Sequence, residues 1–178
     1  MLSKKETRTS GGPLRPARRF TPPLPLFILQ PILRHIVRRI GAENPDMFNR
    51  LGPHKSDLFV IDPVDFPVML ELRPDPDNLL LRALNPAREP EADARIAGRF
   101  VDLVSLMDTD MDGDALFFSR DLEVTGNTEA VVCLRNALDD VEGSIAEMVA
   151  DMFGPPGRMA LGALRRAADR KKRTGGAQ

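Results

Sequence analysis

Four aspartates alternate through Asp108-Thr-Asp-Met-Asp-Gly-Asp114, a spacing that opens a calcium-binding loop between two helices. Such a loop closes on a bidentate glutamate at its twelfth position. Here that position is Ser119, and the residues after the aspartates read as a strand, not an exiting helix. The segment is therefore read as an acidic turn joining a helix to a strand. His35 and His54 have no Cys or His partner at metal-ligand spacing. Cys133 is the sole cysteine, which excludes an internal disulfide; its mid-helix place among apolar neighbours suits a buried, inert thiol. The six serines fall in no nucleophile motif. Catalytic machinery is hard to assemble from this inventory, and no metal or cofactor is expected.

A chain of 178 residues suits one domain with tails. Trp and Tyr are absent, so stacking on nucleic-acid bases would rest on nine Phe alone, and no nucleic-acid partner is expected. The net charge of −1 hides a polarity: residues 1–40 carry net +8, residues 41–157 net −15 and residues 158–178 net +6. Basic ends on an acidic body suit anionic lipid head groups, an acidic partner protein or nucleic acid, the last disfavoured because the acidic body would repel a duplex.

Residues 1–23 are basic, rich in Pro, Gly, Ser and Thr, and read as a disordered tail. Arg18-Arg19-Phe20 before an apolar run resembles a twin-arginine leader. Three arginines directly after that run and the lack of an A-x-A site favour a cytoplasmic protein, with peripheral membrane contact open. The run is too short and proline-rich to span a bilayer. From Pro25 to Ile40 the spacing predicts an amphipathic helix, with Pro31 inside it or marking its regular start. That helix closes the core, touches a membrane or partner, or does both. Gly41 to Gly52 ends it, with Phe48 and Leu51 docking on the core. Strands are predicted over Leu58–Asp62, over Phe66–Arg73 with Val68, Leu70 and Leu72 on one side, over Leu79–Leu84 as a hairpin partner, and from Ala94 to Phe100 with a charged outer face. A short helix over 101–107 follows.

Ala115 to Thr125 reads as a fifth strand, Gly126-Asn127 as a turn, and the next residues as a helix capped by Asn127 or Thr128. Val131, Leu134, Leu138 and Val141 share one face of that helix. Arg120 falls on the apolar parity of the strand: either a bulge turns it outward, or a charge points to the covered side. Ile145, Met148, Val149, Met152 and Phe153 predict another helix, Gly154-Pro155-Pro156-Gly157 stops it, and a basic helix begins at Arg158.

The string LFFSRDLEVTGNTEAVVCLRNALDD resembles the sterol carrier protein type 2 lipid-binding family, and within it the UbiT-like branch of accessory factors of oxygen-independent ubiquinone biosynthesis. The likeness covers about Leu24 to Phe153. Physically, strands in a block with helices before and after predict an α+β fold, one mixed, mostly antiparallel sheet of about five strands covered by α-helices; the resemblance makes it sterol-carrier-like. The expected organisation is a tail over 1–23, a lipid-binding domain over 24–153, and a basic helix and tail over 154–178.

Phe100, Leu103, Met107, Phe118, Leu134, Met148 and Met152 fill a solid core or line an apolar tunnel, and pattern alone leaves that open. The resemblance implies a pocket between sheet and helices, adding Val131, Leu138 and Ile145 to its lining and Arg120 as a polar contact. It further implies a non-catalytic carrier of an isoprenoid quinone precursor or other lipid, with UbiU/UbiV-like hydroxylase proteins as partners. A general lipid, acyl or sterol carrier, or a membrane-docked scaffold, is the alternative.

Overall fold

The computed structural model describes residues 26–87, 90–106, 122–139, 141 and 144–175, the last five as backbone. Apolar runs broken by Pro, Asp and Asn form five short strands: β1 (Phe59–Pro63), β2 (Met69–Arg73), β3 (Leu80–Leu84), β4 (Ala94–Gly98) and β5 (Leu122–Gly126). They make one sheet in the order β3-β2-β1-β4-β5. Every neighbouring pair is antiparallel except β1 and β4, so the sheet is mixed, as the pattern predicts.

Register and pleat decide the two faces. Phe59 pairs with Leu72 and Ala94, and Ile96 with Val124, so these side chains share one face. On the other, Arg82, Glu71, Val60, Arg95 and Thr125 form a row across all five strands. The expected β2 differs from the observed one. It begins at Met69, and Met69 and Glu71 are more deeply buried than Leu70 and Leu72. The reason is pairing: Arg82 bonds Glu71 across the strands and Arg95 bonds Asp62, so carboxylates are tolerated where apolar parity predicted solvent. Phe66 lies in the β1–β2 turn and stacks on Phe100 at 4.9 Å.

Helix α1 (Leu26–Glu43) runs unbroken through Pro31 and past Gly41, three residues beyond the predicted end. Gly41 is wanted there for its size, since a Cβ would come within 3.0 Å of Leu79 and 3.1 Å of Phe48. The Gln30 side chain donates to the Ala83 carbonyl at 2.8 Å, tying α1 to the edge strand β3. Helix α2 (Met47–Leu51) and a 3₁₀ turn (Gly52–Ser56) lead into β1, with Leu51 fully buried. Helix α3 (Phe100–Ser105) follows β4; its first amide donates to Asp65 at 2.7 Å, a carboxylate well placed at a helix N-terminus. Helix α4 (Thr128–Asp139) packs on α2, β4 and β5.

Helix α5 (Ile145–Met152) is capped by Ser144, whose hydroxyl accepts from the Glu147 amide at 3.3 Å. Helix α6 (Gly154–Gly175) starts at once and not at Arg158, because Pro155 and Pro156 fall in its first turn, where a missing N–H costs little. It folds back on α5 and α3, burying Leu161 and Ala168. No described helix is long and apolar enough to cross a membrane.

Candidate functional site

The covered face of the sheet, α2, α3 and α4 meet in a single apolar cluster of Leu51, Phe59, Ile96, Leu103, Val131 and Leu134, with Ala94, Ala130 and Ala137 between them. Half-buried Ile61, Leu72, Leu106, Leu122, Val124 and Leu138 extend it outward. Alternation on the strands and the 3.6-residue period of α4 aim these side chains at one another. Four of the predicted pocket residues, Leu103, Val131, Leu134 and Leu138, are therefore brought together.

The others sit elsewhere. Ile145 is buried on α5, whereas Met148 and Met152 are half-buried there. Instead of the methionines, Ala146 and Ala150 of α5 face Leu161 of α6 and Val104 of α3 in a second, smaller cluster. Small residues are needed at that contact: a Cβ on Gly157 would lie 2.2 Å from the Ala150 carbonyl oxygen. Helix α3 joins the two clusters, giving Leu103 to one and Val104 to the other. Phe100 stands at the start of α3, engaged by Phe66. Met107, Phe118 and Arg120, and the acidic segment Asp108–Asp114, lie outside the described residues.

The opposite face has a different chemistry that apolar pattern did not single out. Glu71 and Asp62, each with a 4% exposed side chain, are paired to Arg82 and Arg95. The Glu71 hydrogen bond holds the Arg82 guanidinium above its ordinary pKa, outweighing burial, which lowers it. The signal was present in the sequence as a carboxylate within each of β1 and β2 and an arginine within each of β3 and β4. Of the predicted pocket residues that the structure describes, none lies on a strand of this face. Among the described residues, no group of three His, Cys, Asp or Glu side chains could hold a metal ion. The covered side of the sheet presents an apolar interior, chemically suited to hydrocarbon.

Residues 39–139, running from the end of α1 to the end of α4, match the SCP-2 sterol transfer family. No curated protein sequence matches the chain. Among solved structures, it is similar to a UbiJ-SCP2 ubiquinone synthesis protein, with 20% identity and a TM-score of 0.47 over 66% of this chain and 90% of the other. It is also similar to sterol carrier protein 2 from Yarrowia lipolytica in its apo form, with 13% identity and a TM-score of 0.44 over 65% and 90% of the two chains.

Proposed function

The chain belongs to the SCP-2 sterol transfer family, and from that premise we propose that it is a non-catalytic carrier for a ubiquinone precursor with a polyprenyl tail. The observation that carries the lipid reading is the family match over 39–139, which spans the whole sheet and the helix whose apolar side meets it. The narrower quinone reading is supported by the likeness of the segment around LEVTGNTEA to the UbiT-like branch.

In this reading the chain enters between the sheet and α3, α4 and α5. Leu103, Val131, Leu134 and Leu138 line its inner end, with Phe100, Ile145, Met148 and Met152 toward the rim. Methionine has three rotatable bonds and repacks readily around a guest chain. Each methylene removed from water contributes about 0.8 kcal/mol in a cavity as in a bilayer, so the carrier competes with the membrane only as far as it encloses the tail. UbiU/UbiV-like hydroxylases are the partners to which such a carrier presents its cargo.

Mass spectrometry of lipids carried through purification of the full chain from a quinone-producing host tests this. A polyprenylated aromatic compound, enriched over its share of the host lipid, is the expected result. Phospholipid or fatty acid alone would replace the quinone reading with a general lipid carrier. No lipid under any loading condition would leave a scaffold with a solid core.

A further inference from the structure

Residues 39–139 carry the family match, so α5 and α6 lie outside it. The two helices close on each other as an antiparallel hairpin. Gly154, with a φ of +63°, turns the chain between them, and Gly157 lets α6 approach the last turn of α5. Arg158 pairs with Asp151 at 2.5 Å and Arg165 with Glu147 at 3.0 Å, both across the hairpin. Ala146, Ala150 and Leu161 pack together between the helices.

The seam between this hairpin and the rest of the fold is thin. Helix α6 rests chiefly on α3, and α5 also meets α1. Val104 of α3 packs into the hairpin's cluster, while the larger Met148, Val149 and Met152 of α5 stay half-buried. Asp102 on α3 and Arg165 and Arg170 on α6 engage in further polar interactions, whose partners water replaces when a seam opens. A seam of small and polar groups is the kind across which packed units move; a large apolar one is not. Helix α3 has six residues, too few to hold itself together in water. It stands with Leu103 in the main cluster and Val104 against the hairpin, so it is supported from both sides.

We propose that α5 and α6 form a lid: the hairpin swings off α3 as one body, α3 loses its outer support, and the apolar interior between α3 and α4 opens. That this opening admits a lipid chain rests on the carrier reading, whereas the movement of the hairpin does not.

Hydrogen exchange of the full chain, read by mass spectrometry, tests the movement without any ligand. Peptides of α5 and α6 are expected to exchange together, at least about tenfold faster than peptides of β1 and β4. Fraying of α6 alone would leave α5 as slow as the sheet. Val104→Ala trims the seam and should speed both helices alike while the sheet keeps its rate. A second arm ties the lid down. Val104→Cys with Leu161→Cys, in a chain carrying Cys133→Ser, joins the hairpin to α3 on oxidation. Uptake of a ubiquinone bearing two isoprene units should then slow at least about tenfold and recover under dithiothreitol. If the disulfide does not form, exchange decides alone. Exchange of α5 as slow as that of the sheet, unequal responses of the two helices to Val104→Ala, or measurable uptake that is equal in the oxidised and reduced chains would overturn the lid. Joint fast exchange with no uptake by the reduced chain would uphold the movement and overturn the carrier reading instead.

Discussion

The Arg82–Glu71 pair shows how a charge can sit inside a sheet. Glu71 is almost wholly buried while Arg82 is 49% exposed, so the pair straddles the surface. Replacing Arg82 with Met keeps the aliphatic stem but leaves a carboxylate with no counter-charge. A fully buried pair broken in this way loses about 3–5 kcal/mol, and water reaching Arg82 screens the interaction, so about 1–3 kcal/mol is expected. Urea unfolding of Arg82→Met reads it, and Glu71→Gln in the same background should recover part of the loss. The pH dependence has a definite sign. Because folding raises the Arg82 pKa, its stabilisation is fully present below the ordinary arginine range and is lost only as pH rises through the raised value. Stability owed to this arginine should therefore stay level from neutral to pH about 11; a loss of it between pH 7 and 10 would assign the effect to another group.

The turn between β5 and α4 is the element most fully legible in the chain, because each of its residues answers a local demand. Gly126 has a φ of +84°, and a Cβ there would lie 2.3 Å from the Asp93 carbonyl oxygen. Asn127 caps α4, its side-chain oxygen accepting from the Ala130 amide at 3.1 Å. Gly126→Ala should therefore cost more than the roughly 1–2 kcal/mol of a left-handed backbone alone, and Asn127→Ala about 1 kcal/mol, both readable by thermal unfolding. The strand pairings β2–β3 and the apolar face of α4 were legible for the same reason: periodicity and turn chemistry are local. What escaped was long-range. Asp62 is paired by Arg95 from thirty-three residues away, beyond any local window, and Glu71 meets Arg82 across the hairpin only once its register is set. The contact of α5 with α6 escaped because small residues make it, while the eye for hydrophobic period follows Met148 and Met152. Those methionines remain informative for ligand uptake. Under the carrier reading, Met148→Trp occupies adaptable space at the rim and should lower lipid uptake several-fold while far-UV circular dichroism is unchanged; uptake equal to wild type would remove Met148 from the lining.

At the scale of the molecule, the basic helices α1 and α6 become neighbours of one helix. Helix α5 touches both α1 and α6. Arg34, Arg38 and Arg39 are exposed on α1, and Arg158, Arg166 and Arg170 on α6. Phe27 and Ile28 stand out from the start of α1, Phe153 from the α5–α6 junction and Met159 from α6. Apolar side chains set among arginines are the composition of a helix that lies in a membrane interface. The prediction is salt-sensitive binding to anionic vesicles, each basic residue near the surface contributing roughly 1 kcal/mol at low salt and less as the Debye length shortens. Deleting residues 158–178 would confuse the result, since Leu161 and Ala168 of α6 are buried against the rest of the fold. Changing Arg166, Arg170, Lys171, Lys172 and Arg173 to Gln leaves both in place and removes five positive charges. Flotation with phosphatidylserine liposomes should then fall at least about tenfold, and 0.5 M salt should erase most of the difference from wild type. Met159→Ser in the otherwise intact chain should weaken flotation without altering its salt slope, because it removes apolar insertion and no charge. Equal flotation of the five-residue variant, or wild-type binding to neutral liposomes at the same strength, would show that the basic end of α6 serves something other than an anionic membrane.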